Sequence, residues 1–434
     1  MPIYAKFKRE HFGFKIDKSQ TNPNTAVIYT HDAVTMTPAY MDFTNGKFNY
    51  GSWGNVWFIK DSYPVALRFD GTEAYKLDPN DYTKRLDGTT SDIQYVLLTE
   101  EPSDWSTQWK QYYHMVGTEY VKNSSSTAPV FESSTYYKLI SFADDLNFMV
   151  AFPKVYFKRY EDASYNYIEV SDRRLNSDFK AYAHINRNGD EVDYIYLPLF
   201  KGSIKNGQLR SIPGEIPTGF INATAEITAV QSLGTRWQIW DHSSREMICD
   251  LLTLISRNTD SQNTFGRGQE SGYSSSDKVT YGKLQTGTLL SKGQFFGFSN
   301  STSEIKCFHM EGLWGNRSDR ILGMLLIDGV WNIKMTPDYN FTGTGFTSLS
   351  IPSPTTNNYL RTLFTSEYGS VPASVDTDTN SPFKDYYFQY QNGTRIPIVG
   401  DCCRHGSQCG FRAVRASSAA VSSLWDIGGS PVYK

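Results

Sequence analysis

At 434 residues the chain is too long for one ordinary domain, and with 39% hydrophobic and 20% charged residues it can bury a core rather than remain an extended polyelectrolyte. A formal net charge of -3 argues against a nucleic-acid coat, which needs a basic surface. Aromatics reach 15%, with 29 Tyr and 26 Phe beside 33 Gly, a bias toward strands and tight turns over helix bundles.

Tyr together with Ser, Gly and Asn also supplies adaptable binding faces, because Tyr offers large rigid contact at low entropic cost. No apolar run has membrane-spanning length, and Met1-Pro2-Ile3-Tyr4 opens no secretion signal. The Asn-x-Ser/Thr sequons at Asn123, Asn222, Asn300, Asn316, Asn340 and Asn392 are then by-products of an Asn/Ser/Thr-rich sequence. Five Cys, an odd number crowded toward Cys402, Cys403 and Cys409, do not make a disulfide framework, so synthesis in a reducing cytoplasm is expected.

In chain order, residues 1–95 read as short strands between turns. Val27-Ile28-Tyr29, Val56–Ile59 and Val65–Phe69 are apolar runs bounded by Asp70-Gly71 and Asp78-Pro79-Asn80. Residues 96–138 read as a small inserted module. Ser103 or Asp104 caps a helix carrying Trp105, Trp109, Tyr112 and Tyr113 at helical spacing, and strand-like segments follow around Tyr120 and Tyr136-Tyr137. Residues 139–434 open with a single long strand, Phe148–Phe157, followed by another at Tyr194–Leu197. One long helix is predicted over Ser243–Ser256, capped by Ser243 or Ser244, with Met247, Ile248, Leu251, Leu252, Leu254 and Ile255 on its apolar face. The stretches 265–307 and 335–385 read as long loops.

Catalytic chemistry finds little support. A glycosidase needs two carboxylates across a cleft, and Glu100-Glu101, Asp144-Asp145 and Asp190-Glu191 sit in predicted turns. Gly266-Arg267-Gly268 is a turn without the strand and helix of a phosphate cradle. Cys402, Cys403, His405 and Cys409 form the most chemistry-like cluster. Adjacent Cys side chains rarely both reach one ion, however, so no metal, cofactor or catalytic residue is expected.

Several segments, in consistent order, resemble a known family. Phe152-Pro153-Lys154-Val155-Tyr156-Phe157-Lys158, Ala183-His184 with Asp193–Tyr196, Asp260–Gly268, Met310-Glu311-Gly312-Leu313-Trp314-Gly315-Asn316, and Gly410-Phe411-Arg412 through Trp425–Gly429 resemble the C-terminal part of phage tail-fibre and adhesin proteins. That part has the fold of C-type lectins and of the formylglycine-generating enzyme. Thr30–Ala39 with Asp42-Phe43 is similar to a lead-in of structural proteins from phages of Gram-positive bacteria, and Pro102–Trp105 to a short unit recurring in them. The chain departs from the pattern where Arg317–Ile327, lacking Trp, separates Asn316 from Asp328-Gly329, and where Ser430-Pro431 replaces a closing Arg-Leu. Cys402-Cys403 matches no motif of the related oxidases.

The resemblance implies a mixed α+β chain: a virion-anchoring β-rich region (1–95), the inserted module (96–138), and a C-type-lectin-like receptor-binding domain (139–434). It implies a non-enzymatic virion protein, at a tail tip or on a head or tail fibre, that binds a host-surface glycan or protein. It would contact other virion proteins, but neither nucleic acid nor the membrane interior, and would repeat as a homo-oligomer, trimer favoured. A capsid decoration or collar protein using the fold only for assembly is the alternative, and a wall-degrading enzyme comes third. In this fold the penultimate segment lies on the outer face, which makes Gly400–Leu424 the expected ligand-binding stretch. Its candidate residues are His405, Gln408, Phe411, Arg412 and Arg415, followed by the small residues Ala416–Ser423.

Overall fold

A computed structural model describes residues 147–434 apart from 164, 172–173, 175, 257–258, 290–295 and 309. Before them it describes eleven short strands between Phe12 and Asn123. The described chain is dominated by strands. Its six-stranded sheet runs Trp237–Ile239, Pro431–Tyr433, Tyr194–Pro198, Asn147–Pro153, Ala66–Phe69, Ala74–Tyr75. A four-stranded sheet joins Tyr156–Glu161 and Tyr165–Ser171 to Phe12–Asp17 and Ala26–Thr30. Both sheets therefore mix strands of the 1–95 stretch with strands of the 139–434 stretch.

The segment expected as one strand, Phe148–Phe157, is two. Asn147–Pro153 pairs antiparallel with Tyr194–Pro198, and after Lys154-Val155 the chain enters the other sheet as Tyr156–Glu161. The break follows Pro153, which has no N–H to extend a ladder. Tyr112 and Tyr113, expected on a helix, begin the strand Tyr112–Val116, which pairs with Glu119–Asn123. A run of aromatic and β-branched residues fits a pleated surface better than a helix turn. Val56–Ile59, Trp105, Trp109 and Tyr136-Tyr137 lie outside the described residues.

The largest sheet has ten strands and takes three of them, Thr347–Pro352, Asn358–Ser366 and Gly369–Asp376, from the stretch read as loop from 335 to 385. Asn358–Ser366 and Gly369–Asp376 form a hairpin with Leu363 opposite Pro372 and Phe364 opposite Val371. Register shifts between Leu360 and Leu363 interrupt the alternation of buried residues, which makes the pattern faint in the sequence. Asp328-Gly329, where the chain departs from the family pattern, is a two-residue hairpin turn between Met324–Ile327 and Val330–Ile333. Both residues have positive φ, +45° and +79°, as a primed turn requires. The buried Trp331 follows at once, its Nε1 donating to Pro372 O at 3.0 Å.

The long helix is present as His242–Ser256. Its cap is Asp241 rather than a serine: Asp241 Oδ1 accepts from Ser244 N at 2.8 Å and from Ser243 Oγ at 3.0 Å, and Lys434 Nζ pairs with Oδ2 at 2.5 Å. Burial extends all round the helix through Leu252, including His242, Arg245, Glu246 and Asp250. Four polar side chains inside a core must each find partners there. Trp314, Leu313, Phe152 and Leu251 meet in one hydrophobic core. Tyr156 is buried in an adjacent cluster with Phe179 and Ala181, and the Ile255 side chain lies outside the described residues. Among the described residues, no helix is long and apolar enough to cross a membrane.

A second set of buried charges underlies the Trp314-Gly315-Asn316 turn. Lys201 Nζ and Arg317 Nη2 meet Asp319 at 2.8 and 2.9 Å, and Asn316 donates to Glu304. Burial pushes the Glu304 carboxyl up to about 7, against the pull of Asn316 and Lys201. An unfolded Glu titrates near about 4.3, so between these values the folded state holds the proton more tightly. The resulting stabilisation is complete below about pH 4.3 and is lost as pH rises through about 7. Thermal melting of Glu304→Gln from pH 4.5 to 8 should therefore show a smaller loss of stability with pH than the parent chain. Equal slopes would mean that this carboxyl is not held protonated.

Candidate functional site

The turn Asp401–Cys409 is the centre of the candidate site. It leaves the strand Thr394–Val399 through Gly400, whose φ of +81° places the chain where a side chain would collide with Leu313 O. Gly315 N donates to Gly400 O at 3.0 Å and Cys403 N to Asn316 O at 3.1 Å, so the turn is tied to the Trp314-Gly315-Asn316 motif. Gly406 N donates to Glu270 O at 2.9 Å, and Cys409 Sγ reaches Cys402 O at 3.2 Å. A single helical turn, Gly406–Gln408, closes it.

The five residues expected to bind ligand do not share one exposed face. His405 and Gln408 are partly exposed on the turn. Phe411 is buried, with its ring 6.0 Å from that of Trp314. Arg412 is only 6% exposed: its guanidinium meets Glu246 Oε1 at 3.2 Å and Asp250 Oδ1 at 2.9 Å, and Arg159 Nε meets Asp250 Oδ2 at 2.7 Å. Burial raises the Asp250 carboxyl to about 6 despite Arg159. It also works against ionisation of Glu246, but Arg412 and His242 outweigh it and hold Glu246 below the usual range. Arg415 is half-buried on the strand Val414–Ser418 and pairs with Asp426 Oδ2 at 2.8 Å. That strand lies inside the ten-stranded sheet between Thr394–Val399 and Tyr386–Gln389. The small residues Ala416 and Ser418 are buried there, so only the later part of the Ala416–Ser423 stretch reaches the surface.

Two features beside the turn were not legible as a site. The first is an aromatic cluster. Tyr273 and Tyr281 stack 6.2 Å apart, and their rings lie 4.9 and 5.2 Å from that of Trp425. Phe220, 57% exposed, lies 5.7 Å from Tyr281, and exposed Arg404 places its guanidinium 5.4 Å from the Tyr273 centroid. Trp425 precedes the strand Ile427–Gly428 and belongs to this cluster, not to the ladder. The sequence signal is the pair Gly272-Tyr273 and Tyr281-Gly282. A Cβ on Gly282 would strike Gly272 O, so the backbones touch and bring the two rings together.

The second feature is an open cleft of about 600 Å³ on which Ser407 of the same turn borders. Asp260, Asn263, Arg267, Asp378 and Lys384 supply charged and amide groups to its walls, and Phe298 an aromatic one. Asp260 also caps the helix Ser261–Phe265 by accepting from Asn263 N at 3.0 Å. Arg267 pairs with Glu270, and Gln262 Nε2 donates to Glu270 Oε2 at 2.8 Å, so this wall is braced.

The cysteines diverge. Cys402 Sγ lies 3.6 Å from His405 Nδ1, whereas Cys403 Sγ contacts Tyr281 O at 3.7 Å. Burial pushes the Cys403 thiol up to about 12 and the Cys402 and Cys409 thiols well above their usual value, so none is a ready nucleophile. Asp190 and Glu191 lie on an exposed turn, where Glu191 accepts from Tyr156 Oη at 3.0 Å. Glu100-Glu101 and Asp144-Asp145 lie outside the described residues. No protein-family model matches the chain, and no curated protein is similar to it.

Proposed function

We propose that the chain is a bacteriophage virion protein with a C-type-lectin-like C-terminal domain that attaches the particle to a glycan on the host surface. The observation that carries the glycan reading is the combination around the Asp401–Cys409 turn: a half-exposed aromatic cluster with Phe220 and Arg404 on one side, and a cleft lined by carboxylates, an amide and cations on the other. Sugars offer apolar C–H faces to aromatic rings and hydroxyls to carboxylates, amides and guanidinium groups, so recognition needs both surfaces together. The phage and lectin-like reading rests on the ordered motifs, with added support from Phe152, Leu251 and Trp314 meeting in one core. One shallow glycan site binds weakly, so attachment gains strength from repetition on a homotrimer.

The test is sedimentation of the full chain with purified Gram-positive cell walls. Phe220→Ala combined with Arg404→Ala and, separately, Arg267→Ala should each reduce wall binding by at least about tenfold. Melting should hold nearly constant for Phe220→Ala/Arg404→Ala, since exposed truncations cost within about 0.5 kcal/mol each. Full retention by both variants overturns the site, and an intact chain that no wall fraction retains favours the decoration reading. Release of reducing sugar would instead identify a glycan-degrading enzyme.

A further inference from the structure

We propose that the Asp401–His405 turn binds one divalent transition-metal ion of the zinc class through Asp401 Oδ1, Cys402 Sγ and His405 Nδ1. These ligand atoms all lie within 4.8 Å of one another, and they come from positions i, i+1 and i+4 of one tight turn. Tetrahedral zinc takes sulfur at about 2.3 Å and nitrogen or oxygen at about 2.0–2.2 Å, which places neighbouring S and N ligands about 3.6 Å apart and N and O ligands about 3.3 Å apart. Cys402 Sγ and His405 Nδ1 already stand at 3.6 Å. His405 Nδ1 and Asp401 Oδ1 share a proton at 2.6 Å and must open by roughly 0.7 Å as the ion replaces it. Both side chains are partly exposed, so the opening is a rotamer adjustment and the ion has a path from solvent.

The donor set is informative. One thiolate, one imidazole and one carboxylate suit a borderline ion and leave calcium or magnesium, which want several oxygens, poorly served. Three protein ligands also leave a fourth position for water or a ligand atom. The turn is held before the ion arrives: His405 N donates to Cys402 O at 3.2 Å, Cys403 N to Asn316 O at 3.1 Å and Gly406 N to Glu270 O at 2.9 Å. Asp401 keeps a φ of +53°, a left-handed conformation costly for a residue with a side chain. Adjacent thiols cannot both serve, and they do not have to, because Cys403 is turned to Tyr281. On binding, the Cys402 thiol proton leaves to solvent and an ion–sulfur bond forms, with no change of oxidation state. The ion would pin the turn that separates the aromatic cluster from the cleft, and the proposal stands independently of what those surfaces bind.

The experiment uses the full chain, stripped with chelator and titrated separately with Zn²⁺ and Co²⁺. One equivalent should bind saturably, with a thiolate-to-cobalt charge-transfer band, and zinc should raise the melting temperature. His405→Ala and Cys402→Ser should each weaken binding at least about tenfold, the lower end of what even a supporting partner of a metal site is worth. Cys403→Ser should leave affinity and the cobalt band in place. His405 is surface-accessible, so its variant reports even if Cys402→Ser folds poorly. Absence of saturable one-equivalent binding, or equal affinity in His405→Ala and the parent chain, overturns the site. So does loss of the band in Cys403→Ser with its retention in Cys402→Ser.

Discussion

Replacing Arg412 with methionine is expected to destabilise the folded chain by about 3–5 kcal/mol, the range for breaking a buried ion pair by removing one partner. Arg412 is held by Glu246 and Asp250, one helical turn apart on the His242–Ser256 helix. Asp250 keeps Arg159 at 2.7 Å when Arg412 is gone. Glu246 keeps Ser370 N at 3.0 Å but loses Arg412, its one ion-pair cation among the described residues, so it becomes the stranded charge. Arg412→Met with Glu246→Gln should therefore recover part of the loss, because it removes that charge while keeping the volume. Urea unfolding at pH 7 of the two variants and the parent chain measures both effects. A cost below about 1 kcal/mol for Arg412→Met would place this residue at the surface, where truncations are nearly neutral.

The same residue shows where sequence reasoning stops. Gly410-Phe411-Arg412 sits in a Ser-, Ala- and Gly-rich segment, and nothing local tells an arginine that reaches out to ligand from one that reaches in to a helix. The decisive partners lie more than 160 positions earlier. A signal did exist at the other end. The His242–Ser256 helix carries His242, Arg245, Glu246 and Asp250 among apolar residues on several faces, and a helix buried all round must import counter-charges. Its position was legible because its 3.6-residue apolar period is strong, whereas Asn358–Ser366 was not, because register shifts between Leu360 and Leu363 put its buried residues out of strict alternation. The strand Phe148–Phe157 was legible as extended chain, but its division between two sheets after Pro153 is a tertiary choice. At the candidate site, the turn was legible through its unusual Cys and His content. The aromatic cluster and the cleft were not, since Phe220, Tyr273, Tyr281 and Trp425 lie as much as 205 positions apart and meet only through backbone contacts such as Gly272 with Gly282.

Trp314→Ala should rival Arg412→Met in cost and should also abolish attachment, because this indole is the floor on which the candidate site is built. Trp314 is fully buried, its Nε1 donates to Gly266 O at 3.2 Å, and its ring lies 6.0 Å from that of Phe411. Gly268 passes so close that a Cβ there would press on the indole. Truncation would leave a cavity bordered by the loop that lines the cleft and by the chain that carries the Asp401–Cys409 turn, at a cost of about 3–5 kcal/mol. The neighbouring Gly315 and Asn316 hold that turn through Gly400 O and Cys403 N, so collapse into the cavity shifts both walls of the site together. Trp314→Phe separates the two roles. It keeps most of the ring volume and loses the bond to Gly266 O, worth about 1 kcal/mol net. Stability should then fall modestly while wall binding persists. Calorimetric melting paired with wall sedimentation reads both quantities on the same samples. If Trp314→Phe stays folded yet loses binding as completely as Trp314→Ala, the indole acts through its hydrogen bond to the cleft wall. If Trp314→Ala binds walls at full strength, attachment is built on another part of the chain.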